Sequence, residues 1–226
     1  MAPNYGKTFA LWREGAGEAW DDYTHHAFVR GLENGTLPRA AFLLYLVQDY
    51  VFLVHFSRAW SLAVVKSETI DEMKICAGTV NALVNHEMSL HVKTCAAAGI
   101  EEATLFNARE AVENLAYTRF VMDAGLQGDF LDLMAALAPC VMGYGEIGLR
   151  LAKSKAPDTP YAEWIETYAD PDYQAVCESV GAMIDSAVES RIGDLSGAPR
   201  AARLQDRFTM ATTLEIGFWQ MGLKGA

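Results

Sequence analysis

The chain has 226 residues, of which 51% are hydrophobic, and its 29 acidic and 18 basic residues give a formal net charge of −11. This length suffices for one large apolar core, so we expect a single domain over residues 1–226. An excess of negative charge repels a nucleic-acid backbone unless basic residues cluster on one face, and the sequence contains no such cluster. Nucleic acid is therefore not an expected partner.

Neither the start of the chain nor its apolar windows indicate a membrane partner. Residues 1–8 lack an apolar segment behind a basic region, and the apolar window at 40–53 is interrupted by Gln48 and Asp49. The four cysteines are widely spaced and form no C-x-x-C pair, a pattern typical of reduced thiols. We therefore predict a cytoplasmic protein.

Helix-forming residues dominate the sequence, and apolar positions in segments such as 42–56 recur every three or four residues. The fold class is therefore all-α, a single-domain helical bundle with short connections. The predicted helices cover residues 5–22, 38–66, 69–98, 107–124, 128–154, 160–192 and 199–222. The sixth of these is expected to be interrupted at Asp170-Pro171.

The segment Gly143 to Gly148 matches the dinucleotide-binding pattern G-x-G-x-x-G letter for letter. That pattern requires a preceding β-strand, but residues 131–138 are strong helix formers with almost no β-branching. We interpret the glycines as small residues that let helices approach closely.

Within the same predicted helix, Pro139 directly precedes Cys140. A proline there removes one backbone hydrogen bond, so a kink or a broken turn is expected. Cys140 and Tyr144 share a helix face, which would direct a thiol and a phenol into one space. The alternative is that Cys140 is only a small buried apolar residue.

Two carboxylates lie in apolar helical segments. Asp49 lies on the apolar stripe of the 38–66 helix. A carboxylate buried there requires either structural hydrogen bonds or a ligand, and both interpretations remain open. Glu215 stands among large apolar residues near the chain end, where desolvation would raise its pKa and suit it to proton donation. Exposure on an amphipathic helix is the alternative for Glu215.

Glu87 and His91 lie one helical turn apart, a spacing found among metal ligands. Di-iron bundles use Glu-x-x-His from each of two helices, and this chain has no such motif. We favour a structural hydrogen-bonded pair over a metal site. His25-His26 is expected at a helix end, where capping or packing is as plausible as function.

Several longer motifs occur in the order found in the TenA family, which the chain resembles over most of its length. They are Tyr23 to Leu32, Gly35 to Pro38, Tyr45 to Tyr50 with His55-Phe56, Glu87 to His91, Asn114 to Thr118, Leu137 to Tyr144 and Glu215 to Trp219.

The resemblance implies a haem-oxygenase-like helical bundle, assembled as a homotetramer, that acts on a small pyrimidine. Members with a cysteine hydrolyse 4-amino-5-aminomethyl-2-methylpyrimidine to the hydroxymethyl compound and ammonia, in thiamin salvage, and can also cleave thiamin. The resemblance implies neither a cofactor nor a metal.

Residue by residue, the resemblance makes Cys140 the nucleophile, Glu215 the catalytic acid and Asp49 the carboxylate that holds the pyrimidine amino edge. The implied lining of the site is Phe52, Tyr117, Tyr144 and Tyr168. Phe52 stands where some relatives carry tyrosine, so one hydroxyl of the expected lining is absent while an aromatic face remains.

Two other functions are weighed against this hydrolase. A metal-dependent oxygenase on the same fold would use Glu87 and His91. A non-catalytic pyrimidine-binding regulatory protein would keep the site without turnover, but binding alone requires neither the Cys140 thiol nor the Glu215 acid.

Overall fold

A computed structural model describes residues 3–195 and 197–225, apart from the side chain of Leu90. All regular structure in these residues is helical, which confirms the all-α prediction. The α-helices are α1 (Lys7–Ala16), α2 (Glu18–Thr24), α3 (Ala27–Asn34), α4 (Arg39–Lys66), α5 (Ile70–Ala82), α6 (Met88–Ala97), α7 (Glu102–Phe106), α8 (Val112–Gln127), α9 (Phe130–Ser154), α10 (Ala162–Ala169), α11 (Pro171–Arg191) and α12 (Ala201–Leu223). A π-helical segment, Leu83–Glu87, joins α5 to α6.

The long predicted helices are present, and local signals explain where they begin. The Thr69 hydroxyl accepts from the backbone N–H of Glu72 while the Glu72 carboxylate accepts from that of Thr69, so a capping box starts α5. The expected interruption at Asp170 is confirmed, because its side chain accepts from the Asp172 N–H and Pro171 occupies the first helical position of α11.

Several predicted boundaries are wrong. Gly17, with φ of 51°, separates α1 from α2 inside the stretch predicted as one helix, because glycine readily adopts this left-handed backbone. Helices α3 and α7 were not predicted, since eight and five residues offer too few turns for a clear periodicity. The π-helical segment also went unpredicted inside the 69–98 stretch.

The chain divides into two compact units. Unit 1 consists of Met1–Leu37 and Met134–Ile216, and unit 2 of Pro38–Leu133 and Gly217–Ala226. The core of unit 1 includes an aromatic cluster in which the Trp20 ring stacks on Phe208 at 5.6 Å. In unit 2, α4 packs against α5, α6, α7 and α8 and is its central element.

Two helices are long and apolar enough to span a membrane by length and composition, α4 and α9. Within their most apolar windows, however, 61% and 89% of the residues are buried in the structure. Burial of this extent is typical of the core helices of a soluble protein.

The three glycines of the Gly143–Gly148 segment lie in α9 at close helix contacts. A Cβ atom would lie 2.3 Å from Tyr23 Cε1 at Gly143, 2.7 Å from the Tyr5 hydroxyl at Gly145 and 2.5 Å from the Tyr168 carbonyl carbon at Gly148. The segment is helical throughout. The interpretation of these glycines as close-packing residues is confirmed.

Gly148→Ala is expected to lower the free energy of unfolding by about 1–3 kcal/mol, because the added methyl group meets backbone that no side-chain rotation can move. Gly78→Ala in α5 is the matched control, since nothing lies within 4 Å of its added Cβ. It should gain up to about 1 kcal/mol from helix propensity. Urea unfolding of both variants measures the difference. A Gly148→Ala protein as stable as the control would contradict the close approach.

Candidate active site

Cys140 differs from the other cysteines in its accessibility. It is partly exposed on α9, whereas Cys76, Cys95 and Cys177 are buried. No disulfide joins cysteines in the described part of the chain, as the spacing predicted. Cys140 is therefore the one cysteine of the four that is not fully enclosed in the core.

The backbone on both sides of Cys140 is held by tyrosines from other helices of unit 1. The Tyr23 hydroxyl in α2 donates to the carbonyl oxygen of Pro139 at 3.3 Å, and the Tyr173 hydroxyl in α11 donates to that of Val141 at 3.1 Å. Helix α9 continues through the proline, so the broken turn considered from the sequence does not occur. These contacts fix the position of the thiol.

The two tyrosines predicted to line the site in unit 1 are in contact. Tyr144 lies one turn after Cys140 and is buried, and its ring centroid is 4.9 Å from that of Tyr168 in α10. Trp164 completes this aromatic group, at 4.7 Å from Tyr168 and 5.8 Å from Tyr144. Sequence reasoning missed Trp164, although its spacing of four residues from Tyr168 places both on one helix face.

Glu215 lies in α12 and is 1% exposed. The interpretation of this residue as a buried carboxyl group is therefore confirmed, and the amphipathic surface position is wrong. Burial of this extent disfavours the charged form of a carboxyl group relative to its form in water. Glu215 and Cys140 belong to the same compact unit.

Asp49 is buried in the middle of α4, where it is 3% exposed. The Tyr45 hydroxyl, one turn earlier, donates to Asp49 Oδ2 at 3.0 Å, and His91 Nε2 lies 2.6 Å from the same oxygen. Among the described residues, no hydrogen bond reaches the other carboxylate oxygen, Oδ1. The structural hydrogen bonds considered for Asp49 are therefore present, and the ligand contact stays a prediction.

The hydrogen bonds of His91 define its protonation. Its Nδ1 lies 2.9 Å from the backbone carbonyl oxygen of Glu87, which can only accept, and its Nε2 faces Asp49. Burial alone would lower the pKa of His91, but the hydrogen bond and charge of Asp49, with the charge of Glu87, raise it above its ordinary value. A protonated ring would donate to both partners.

The sequence paired His91 with Glu87, but the side-chain partner of His91 is Asp49. Glu87 contributes its backbone carbonyl to this contact. The spacing of four residues could not reveal Asp49, which is 42 positions away on another helix. In the part of the chain that the structure describes, no three His, Cys, Asp or Glu side chains form a group that could hold a metal ion.

The two lining residues predicted in unit 2 are also in contact. The Phe52 ring centroid lies 5.0 Å from that of Tyr117 and 5.4 Å from that of Phe218. Phe52 therefore keeps an aromatic role at a position that lacks the tyrosine hydroxyl. Phe218 was recognised only as part of the Glu215 to Trp219 motif, not as a lining residue.

Gln48 anchors the start of α8, which carries Tyr117. Its Oε1 accepts from the backbone N–H of Ala111 at 2.9 Å, and its Nε2 donates to the Arg109 carbonyl oxygen at 3.0 Å. The Asn114 amide donates in turn to the backbone carbonyl of Gln48 at 2.8 Å. Since Tyr117 lies one turn after Asn114, this network fixes the tyrosine relative to α4.

Sequence comparison identifies relatives over nearly the whole chain. A family model described as TENA/THI-4/PQQC family matches residues 14–225. An uncharacterized protein of Haemophilus influenzae is 36% identical over 206 residues, 90% of this chain and 93% of that protein. The aminopyrimidine aminohydrolase of Halalkalibacterium halodurans is 31% identical over 210 residues, 92% of each chain.

Solved structures agree with these relatives. The crystal structure of a TenA family transcription regulator from Silicibacter sp. TM1040 has a TM-score of 0.94 and 62% identity, with 97% of each chain covered. A domain of unknown function from Shewanella denitrificans, with a heme oxygenase-like fold, has a TM-score of 0.73 at 12% identity over 96% of this chain and 92% of that chain. The second similarity confirms the predicted fold alone. Because one family model spans residues 14–225, the chain belongs to the TENA/THI-4/PQQC family.

Proposed function

We propose that this protein is a hydrolase of the thiaminase II type. It converts 4-amino-5-aminomethyl-2-methylpyrimidine to the hydroxymethyl compound with release of ammonia, in thiamin salvage, and accepts thiamin as a second substrate. The observation that carries the proposal is the partly exposed Cys140 on a fixed backbone, in one compact unit with the buried Glu215. Relatives named aminopyrimidine aminohydrolase, such as that of Halalkalibacterium halodurans, support it.

In the first step, the Cys140 thiolate forms a bond to the ring carbon beside the one that carries the aminomethyl group. A ring nitrogen takes a proton from Glu215, so addition of the thiolate leaves no negative charge on the ring. Aromaticity is lost, and the ring now contains an electron-rich double bond next to the leaving group.

In the second step, that electron pair expels the amine, which takes up a proton and leaves as ammonia. Water then adds to the exocyclic methylene carbon, forms the hydroxymethyl group and releases one proton, which balances the proton that the amine took up. The electrons return to the ring, the carbon–sulfur bond breaks, the thiolate leaves, and the ring nitrogen returns its proton to Glu215. The net reaction consumes one water and releases one ammonia.

Asp49 would accept a hydrogen bond from the exocyclic amino group and so orient the ring. The aromatic groups that contain Tyr144 with Tyr168, and Phe52 with Tyr117, would supply flat apolar contact to the ring. These assignments follow the family motifs. They are supported by the unoccupied Oδ1 of Asp49 and by the contacts within each aromatic pair.

We further propose that residues 1–226 act as one TenA-like domain in the cytoplasm. The match of one family model to residues 14–225 supports the single domain. The absence of disulfides among the described residues and the burial of both long apolar helices support the cytoplasmic location.

A homotetramer is the assembly that we propose. Most of the large exposed apolar side chains of the described residues lie in unit 2, where Phe106 is 72% exposed and Val112 is 77% exposed. Concentrated exposure of this kind is typical of a surface that another chain covers.

A regulatory role is the alternative that one comparison favours, because the 62% identical Silicibacter protein is described as a transcription regulator. The net charge of −11 opposes direct DNA binding, and pyrimidine binding alone would not require the thiol or the acid. The metal-dependent oxygenase is disfavoured by His91, because both of its ring nitrogens are already engaged in contacts with the Glu87 carbonyl and the Asp49 carboxylate.

Cys140→Ala is expected to lower ammonia release from the aminomethyl-pyrimidine by more than about 10³-fold, because no thiolate remains to add to the pyrimidine ring. Binding of the hydroxymethyl product should persist in a calorimetric titration. Cys76→Ala is the matched control, because burial raises the pKa of the Cys76 thiol to about 11 and keeps it neutral. Turnover by Cys140→Ala at the rate of the control would remove cysteine from the mechanism.

Glu215→Gln is expected to reduce kcat by about 10²–10⁴-fold, the usual contribution of a general acid, with the fold retained in circular dichroism. The exposed Glu178 of the same unit provides the control variant Glu178→Gln, which should retain the wild-type rate. A wild-type rate in Glu215→Gln would assign proton donation to another group.

Phe106→Glu is expected to convert the tetramer into smaller species, because a charge at a covered apolar surface is costly to bury. Leu11→Glu, at a 51% exposed leucine of unit 1, should leave the mass unchanged. Sedimentation velocity separates the outcomes. If wild-type protein sediments as a monomer, the proposed assembly is wrong.

A further inference from the structure

We infer that His91 is a positioning residue that fixes Asp49 as an ionised carboxylate and thereby selects pyrimidines with an exocyclic amino group over their oxo counterparts. The inference rests on the proposed function for the identity of the ring. The protonation of the pair and its consequence for ligand choice follow from geometry in unit 2.

The contact between the His91 and Asp49 side chains is short, and both side chains are buried. His91 Nε2 lies 2.6 Å from Asp49 Oδ2, and the two side chains are 0% and 4% exposed. The backbone carbonyl of Glu87 requires a hydrogen on Nδ1. A neutral ring would therefore present a bare Nε2 to Asp49, and only a proton shared between them stabilises a contact of this length.

The shared proton can belong to Asp49 or to His91, and the neighbouring groups favour His91. A neutral pair would put it on Asp49, where Tyr45 already donates its own hydrogen to the same Oδ2. The imidazolium pair lets one carboxylate oxygen accept from both Tyr45 and His91, in a charge-assisted bond. The raised pKa of His91 agrees with this arrangement.

The groups that face the pair come from two elements. Tyr45 contacts Asp49 from α4, and Glu87 acts on His91 from the end of the π-helical segment by its carbonyl and its negative charge. No other hydrogen bond in the described residues reaches either side chain. The negative charge of Glu87 adds to that of Asp49 in keeping the proton on the ring.

An ionised carboxylate can only accept hydrogen bonds. With Oδ2 occupied by two donors, the polar group of a ligand at Oδ1 must be a donor. An amino group satisfies this requirement. An oxo group at the same ring position would place two acceptors together in a buried site, which leaves both unpaired and costs binding energy.

Removal of His91 should weaken this selection. Without His91, Asp49 Oδ2 keeps Tyr45 as its only donor among the described residues, so the carboxyl group is no longer held as a fixed pure acceptor toward the ligand. A protonated carboxyl group can donate to an oxo ring. The ratio of amino to oxo affinities is therefore the quantity that His91 controls.

The test uses 4-amino-5-hydroxymethyl-2-methylpyrimidine and its 4-oxo counterpart as ligands in calorimetric titrations near neutral pH. Wild-type protein should prefer the amino ring by about 10²-fold or more, the discrimination expected of a site built around a hydrogen bond. His91→Leu should reduce this ratio by about 10-fold or more. His91→Gln, which keeps a donor but no charge, should give an intermediate ratio.

His86→Gln is the matched control, since His86 lies exposed in the adjoining π-helical segment. It should leave the ratio unchanged. Nitrogen-15 spectra of wild-type protein add an independent readout, in which one imidazole should carry hydrogens on both nitrogens at neutral pH and lose this signature in His91→Gln. This measurement remains informative if His91→Leu fails to fold.

The inference is overturned if His91→Gln keeps the wild-type ratio, if wild-type protein binds both rings equally or binds neither, or if the His91 ring has one bare nitrogen. None of these readouts depends on turnover. Protein that selects the amino ring but releases no ammonia would refute the proposed hydrolase and leave the role of His91 standing. Normal turnover with an unchanged ratio of amino to oxo affinities in the variants would support the hydrolase and refute the role of His91.

Discussion

A carboxylate in the centre of an apolar helix is stable only when other groups replace the water that it loses. In unit 2 this requirement falls on Asp49, and it is met by a hydroxyl from its own helix and the His91 ring from α6. Helix α4 is also the element on which α5 to α8 pack. The packing of these helices therefore depends on the partners of the Asp49 side chain. Any helix shift that separates His91 from Asp49 leaves a buried carboxylate without one of its two partners.

Unit 1 holds the partly exposed Cys140 at a point of α9 where a proline has removed a helix hydrogen bond. Here the carbonyl groups flanking Cys140 receive hydroxyl donors from Tyr23 and Tyr173. The missing side chain of Gly143 is what lets the Tyr23 ring reach this backbone. A functional group on a regular helix, supported by residues from neighbouring helices, is positioned more rigidly than one on a loop.

The all-α class, the long helices and the break at Asp170 could be predicted because local spacing and capping residues determine them. For Glu215 the sequence allowed either burial or exposure on an amphipathic helix, because its apolar neighbours in sequence do not determine which face of the helix packs against other helices. The partner of His91 could not be predicted. It depends on the packing of α6 against α4 across 42 positions, and neither periodicity nor a motif encodes that contact.

The π-helical segment between α5 and α6 has a consequence for how related chains can vary. A π-helical turn contains one residue more than the α-helical turn it replaces, and one residue corresponds to about 100° of rotation around a helix axis. Loss of a single residue from Leu83–Glu87 would restore ordinary winding and leave everything after it, including His91, on nearly the same side of the helix. Loss of one residue from an ordinary α-helical turn of α5 or α6 before His91 would instead rotate the later residues by about 100° and change which side chain meets the carboxylate.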